Sequence, residues 1–110
     1  MNKFQKISNE KEIYQEFEIL RSIHKKPNIT QRELANDLGF SLGKLNYCLR
    51  ALKTKGLVKI ENFRKNPSKL IYIYLLTPTG ISKKTKLTLN FMKKKMEEYE
   101  DLQKELNEKK

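Results

Sequence analysis

Tryptophan is absent from this 110-residue chain, and cysteine and histidine occur once each. A single thiol cannot close an internal disulfide, and His24 has no second histidine, cysteine or carboxylate cluster beside it to suggest a metal. Four glycines and three prolines are spread along the chain, so no glycine-rich phosphate loop is present. No Ser/His/Asp or Cys/His constellation occurs either, so no catalytic residue, metal or cofactor is expected. No apolar run approaches the roughly 20 residues that would span a bilayer, and the opening stretch MNKFQKISNEKE lacks a signal core. These absences point to a cytoplasmic protein of one domain with a modest core, not an enzyme with a deep cleft.

Positive charge is plentiful, and it is localised. The formal net charge is +11. Between Lys44 and Lys86 there are eleven Lys and Arg against one acid, Glu61. The segment from Lys93 to the end balances six lysines with six acids. Such a concentration is the electrostatic footprint of a phosphate-backbone partner. An anionic membrane would need a basic amphipathic helix with exposed bulky apolar residues, and none accompanies it.

Taken in order, residues 1–7 read as frayed. Ser8 or Asn9 caps a first helix, with Glu10 and Glu12 in its opening turn and Ile13, Phe17, Leu20 and Ile23/His24 as its apolar stripe. It stops near Lys25 and Lys26, ahead of Pro27. Asn28 and Ile29 allow a brief strand. Thr30-Gln31-Arg32-Glu33 is a T-x-x-E capping box opening a second helix, whose buried positions are Leu34, Ala35 and Leu38 and which ends at Gly39.

Ser41 then caps a third helix, SLGKLNYCLRALKTKG, closed by Gly56. Leu45, Cys48 (or Leu49) and Leu52 form its apolar face, and Lys44, Asn46, Tyr47, Arg50 and Lys53 lie on the other. Lys44 puts a cation at the positive end of the helix dipole, and Gly43 weakens the first turn by roughly 0.5–1 kcal/mol. Both features suit a helix end that receives an anion at close range. Two short helices joined by a Gly-containing turn make a helix-turn-helix unit, with the third helix as its recognition helix.

After Gly56 the periodicity becomes that of strands. Leu57, Val58 and Ile60 form one, residues 62–69 have turn composition, and Leu70–Leu76 form the second. The tip of this hairpin carries Arg64, Lys65 and Lys69, a basic wing suited to phosphates or the minor groove. Thr77-Pro78 starts a last helix reaching about Glu108. Leu89, Met92, Met96, Tyr99, Gln103 and Leu106, with Leu102, form a heptad-like seam that needs a partner. Lysines crowd the first half of this helix and acids the second, which favours an antiparallel pair with a second copy.

The expected fold is therefore mainly α, an α+β winged helix-turn-helix. It has a three-helix core with a two- to three-stranded β-wing over residues 8–76 and a long dimerisation helix over 77–108. Several stretches carry a likeness to a known family: Thr30–Ala35, Leu38–Ser41, Leu52–Val58 and Leu76–Gly80 resemble MarR-type regulators. SLGKLNYCLRALKTKGLVKIENF, the Tyr-Ile-Tyr-Leu-Leu-Thr-Pro run, Leu87-Thr88, Phe91 and Glu98-Tyr99-Glu100 more closely resemble the small MarR-family regulators associated with exopolysaccharide gene clusters. The T-Q-R-E-L-A segment is generic to winged helices, whereas S-L-G-K-x-N-Y-C-L is far more specific. The resemblance covers roughly residues 10–107. It implies a bacterial regulator of surface-polysaccharide genes that binds double-stranded DNA. Larger MarR proteins carry more helix before the winged core, so much of their pocket for phenolic ligands is missing here. No small-molecule ligand is expected.

Roles follow from residue chemistry. Lys44, Asn46 and Tyr47 are placed at base edges, with Leu42 and Gly43 at close approach, since Lys can pair with guanine and Asn with adenine. Gln31, Arg32, Ser41, Arg50, Lys53, Arg64, Lys65 and Lys69 are assigned to phosphates. Leu89, Met92, Met96, Tyr99, Leu102 and Leu106 are assigned to dimerisation. Cys48 reads as a small buried hydrophobe in preference to a redox sensor, and Tyr72 and Tyr74 as packing residues. The rival reading is a winged-helix interaction module that recruits a protein through its last helix.

Overall fold

The computed structural model describes residues 2–67 and 69–108, without the side chains of residues 7, 8, 63–66, 69 and 70. Helix α1 (Lys3–Lys25) opens earlier than the sequence suggests. The Asn2 side chain accepts from the Gln5 N–H at 2.8 Å, and the Gln5 side chain accepts from the Asn2 N–H at 3.1 Å, a complete capping box. Ser8 and Asn9 therefore lie inside the helix instead of capping it, the expected frayed segment is helical from Lys3, and Glu10 and Glu12 fall well past the first turn. Phe17, Leu20 and Ile23 are buried as expected, but Ile13 remains 43% exposed. Ile19, off the expected stripe, is fully buried because α2, β3 and α4 all pack on α1 and cover more than one side of it.

Asn28 turns the chain with φ +69°, a left-handed conformation that Asn tolerates well. Strand β1 (Ile29–Thr30) leads directly into α2 (Gln31–Leu38). Thr30 Oγ1 accepts from the Glu33 N–H at 3.3 Å and donates to Glu33 Oε1 at 2.9 Å, so the box closes between the two side chains. Gly39 ends α2 at φ +68°. The Phe40 N–H reaches back to the Ala35 carbonyl, and the half-buried Phe40 ring packs on the core at this corner. Helix α3 (Leu42–Thr54) follows, its N-terminus capped by Ser41, whose Oγ accepts from the Lys44 N–H at 3.1 Å.

Strands β2 (Val58–Asn66) and β3 (Lys69–Leu76) form an antiparallel hairpin, and β1 adds to the far side of β3 in the order β1-β3-β2. The hairpin is longer than its composition suggests. Asn62, Phe63 and Arg64 pair with Tyr72, Ile71 and Leu70, and an irregularity between Arg64 and Asn66 precedes the turn. Residues 62–66 are thus strand, not turn. A paired strand satisfies its backbone whatever its side chains, so a polar strand in solvent resembles a loop in composition.

Helix α4 (Pro78–Glu108) runs 31 residues, about 46 Å at 1.5 Å per residue. Its base packs on the domain through Gly80 and Leu87, while the rest gives the molecule extents of 69 × 29 × 26 Å. The core lies between α1, α2, α3 and the base of the sheet: Ile19, Leu20, Ile23, Ile29, Leu34, Leu45 and Leu52 are each fully enclosed. Among the described residues no helix is long and apolar enough to cross a membrane.

Candidate nucleic-acid interface

Helix α3 is held by one face and presents the other. Leu45, Leu49 and Leu52 enter the core, which assigns the inward position to Leu49, with Cys48 half-buried beside it. Lys44, Asn46, Tyr47, Arg50 and Lys53 are all exposed, Tyr47 most of all at 78%. Nothing lies within 4 Å of where a Gly43 side chain would begin, so the first turn is open to a close approach. No acidic residue occupies that turn. Lys44 Nζ sits 4.2 Å from the centre of the Phe40 ring, a cation–π contact worth about 0.5–1 kcal/mol at an exposed site. The turn between the two helices thus positions the ammonium group beside the N-terminus of α3.

Among the described residues, six cations face carboxylates. Lys26 bonds Asp37 at 2.7 Å, Lys55 bonds Glu16 at 3.3 Å and Lys59 bonds Glu61 at 3.3 Å. Arg21, Lys94 and Lys95 also face carboxylates. Among the described residues, Arg32, Lys44, Arg50 and Lys53 have no carboxylate partner. Four of the cations assigned to DNA from sequence thus stand without a carboxylate among the described residues. Gln31 is more constrained, since its Oε1 accepts from Tyr74 Oη at 3.1 Å in a half-buried contact. That bond gives Tyr74 a structural role, while Tyr72 stays half exposed. The side chains of Arg64, Lys65 and Lys69 lie outside the described residues.

Burial pushes the Cys48 thiol above its ordinary range, against the opposing influence of Lys44. A thiol so placed is mostly protonated at neutral pH, the behaviour of a small packing residue. A groove of about 540 Å³ runs between α1 and α3, with Ile13, Glu16, Cys48 and Leu52 along it. His24 Nδ1 lies 2.9 Å from Lys84 Nζ, tying the end of α1 to α4. On α4, Leu89, Met92, Met96, Tyr99, Leu102 and Leu106 are 57–66% exposed and lie along the helix as a continuous apolar stripe.

A helix-turn-helix whose second helix is open to solvent, followed by an antiparallel hairpin and a long closing helix, defines a winged helix-turn-helix. Residues 14–59 match the family described as winged helix-turn-helix DNA-binding, from within α1 through α3 to the start of β2. The fold is shared with Staphylococcus aureus MarR in complex with salicylate and kanamycin (TM-score 0.65, 23% identity, 80% of this chain and 57% of that one). It is shared also with Streptococcus pneumoniae FabT in complex with DNA (0.62, 23%, 79% and 59%). A mutant of E. coli MarR complexed with operator DNA aligns at TM-score 0.58 with 30% identity over 64% of this chain and 49% of that one. The chain thus spans about half the length of these structures. No curated protein matches it.

Proposed function

We propose that this chain is a non-enzymatic, sequence-specific regulator of transcription in the bacterial cytoplasm, binding double-stranded DNA as a homodimer on an inverted repeat. The observation that carries the reading is the outer face of α3, where Lys44, Arg50 and Lys53 are exposed and have no carboxylate partner among the described residues. Lys44, Asn46 and Tyr47, with Leu42 and Gly43, meet base edges in the major groove. Arg32, Ser41, Arg50, Lys53 and, less freely, Gln31 meet phosphates, joined by Arg64, Lys65 and Lys69 of the wing. The exposed stripe of α4 pairs antiparallel with the same stripe of a second copy. Two structures of the same fold, FabT in complex with DNA and a MarR mutant complexed with operator DNA, support a duplex as the partner. The likeness of the α3 segment to small exopolysaccharide-associated regulators adds surface-polysaccharide genes as targets.

Selection from a random duplex pool tests this. The expected product is a pair of inverted half-sites about 10 bp apart, centre to centre, with an affinity that falls steeply as salt rises. The same exposed stripe on α4 would also serve a winged helix that recruits another protein. Absence of salt-sensitive duplex binding, together with a stoichiometric protein partner, would establish that rival instead.

A further inference from the structure

The wing and the first helix of the helix-turn-helix meet at one side-chain bond. Strand pairing sets Tyr74 of β3 opposite Ile29 and Ile73 opposite Thr30, which brings Tyr74 to the place where α2 begins. Tyr74 is 4% exposed and packs in the core, while its hydroxyl donates to Gln31 Oε1 at 3.1 Å. Gln31 is the first residue of α2, half-buried, and the exposed Arg32 follows it. In a helix-turn-helix the second helix enters the groove and the first crosses the backbone, so α2 is the helix that faces phosphates.

A glutamine amide has two unlike ends. Its carbonyl accepts and its NH2 group donates, whereas a phosphate oxygen can only accept. The Tyr74 O–H has no other acceptor among the described residues, so turning the amide over would leave a half-buried donor without a partner. The orientation is thus selected from inside the fold. Gln31 Nε2 has no partner among the described residues, where Glu16 Oε1 is the sole buried side-chain polar atom left unpaired. The NH2 group therefore reaches solvent, at the other end of the amide from Tyr74. Burial also raises the Tyr74 phenol above its ordinary range, so it remains a donor at neutral pH.

We infer that Tyr74 is a positioning residue for the duplex: its hydroxyl holds the Gln31 carbonyl inward, so that the NH2 group faces outward as a donor to a backbone phosphate. This rests on the DNA-binding reading above and deepens it, since the inner strand of the wing then acts on phosphate binding through α2. With the amide reversed, a carbonyl oxygen would meet the phosphate and repel it. Gln31 carries no charge, so its contact releases no counterion and leaves the salt slope alone, unlike that of a lysine.

A double-mutant cycle tests it, with a fluorescein-labelled duplex of mixed sequence as the probe, because phosphate contacts do not depend on sequence. Fluorescence anisotropy reads the Kd at several salt concentrations, at a temperature below the melting of every variant. Tyr74→Phe and Gln31→Ala are each expected to weaken binding about three- to tenfold, with the salt slope unchanged. In the Gln31→Ala background, Tyr74→Phe should cost nothing further. Gln31→Glu keeps an acceptor for Tyr74 but turns an anion outward, and should bind more weakly than Gln31→Ala. Gln31→Lys, a donor that needs no orienting partner, should retain affinity and make Tyr74→Phe silent. If Tyr74→Phe weakens binding equally in the parent and Gln31→Ala backgrounds, Tyr74 acts through stability alone and the positioning role is overturned. If the parent binds and Gln31→Ala and Gln31→Glu bind like it, the phosphate contact is overturned while the DNA reading stands. If the parent shows no salt-dependent duplex binding, the DNA reading falls, and this contact with it.

Discussion

Gly80 stands directly over the Leu57 carbonyl. A β-carbon built on it would overlap the Leu57 oxygen and come within 2.9 Å of the carbonyl carbon. The same carbonyl accepts the Thr77 N–H at 3.1 Å, so the strand start and the helix start share one backbone group. Gly80→Ala is accordingly expected to destabilise the domain by about 1–3 kcal/mol, the range for forced overpacking. At ~4–8 °C per kcal/mol for a domain of this size, thermal melting should fall by several degrees or more. Gly43→Ala, with open space around it, should leave melting nearly unchanged or raise it.

Lys44 and Lys53 differ in the role expected of them. Lys44→Ala should flatten sequence preference at one position of each half-site, with a loss of about 1–3 kcal/mol of discrimination. Lys53→Ala should weaken all sequences alike and lower the salt slope by ~1. Binding profiles over a randomised pool, measured at several salt concentrations, distinguish the two. Indistinguishable profiles would remove the assignment of Lys44 to base edges. Phe40→Leu, which removes the ring beneath the Lys44 ammonium, is expected to reproduce part of the Lys44 effect.

Burial raises both the Cys48 thiol and the Tyr74 phenol above their ordinary values of 9.0 and 10.0. In the unfolded chain each group loses its proton first, so the native state binds more protons over that interval and stability falls as pH rises. Melting temperature should therefore decline from about pH 9 upward. Cys48→Ala should remove the earlier part of the decline. Tyr74→Phe should remove the later part, at the cost of the bond to Gln31. Alkylation of native Cys48 at neutral pH should be slower than that of the urea-unfolded chain.

Tyr99→Asp and Leu102→Asp alter residues that are 66% and 64% exposed within one copy. Melting of the dilute protein should hardly change. Sedimentation should instead show monomers, and affinity for a two-half-site duplex should drop towards that for a single half-site. A dimer unaffected by both changes would place self-association elsewhere on the molecule.

The helices were legible in the sequence because their ends are written in local chemistry. Thr30 with Glu33, Gly39, Ser41 and Gly56 each cap or close a helix as their residue types imply. The start of α1 is less legible because its box uses Asn2 and Gln5, a less conspicuous pair than the Ser8 or Asn9 that precedes acids. Asn, Lys and Arg between positions 62 and 66 resemble a loop, since strand identity there rests on pairing with residues 70–72 and not on side-chain propensity. For the α3 face, periodicity was sufficient to separate Leu45 and Leu52 from the exposed cations. Only coordinates could show that Lys55 and Lys59 are claimed by Glu16 and Glu61. Arg21 and Lys84 edge one concave surface from two helices far apart in the chain, and no local pattern announces it.

The Thr77 hydroxyl accepts from the Gly80 N–H at 2.9 Å and donates to the Gly56 carbonyl at 2.6 Å, so a single oxygen rivets the root of α4 to the tail of α3. That oxygen fixes the direction in which α4 leaves the end of α3. A swing of about 5° at that rivet moves the far tip of the ~46 Å arm by roughly 4 Å. In the proposed dimer, the span between the two α3 helices would follow how the α4 helices cross, and Thr77→Val would change that span without touching either α3 or the pairing stripe.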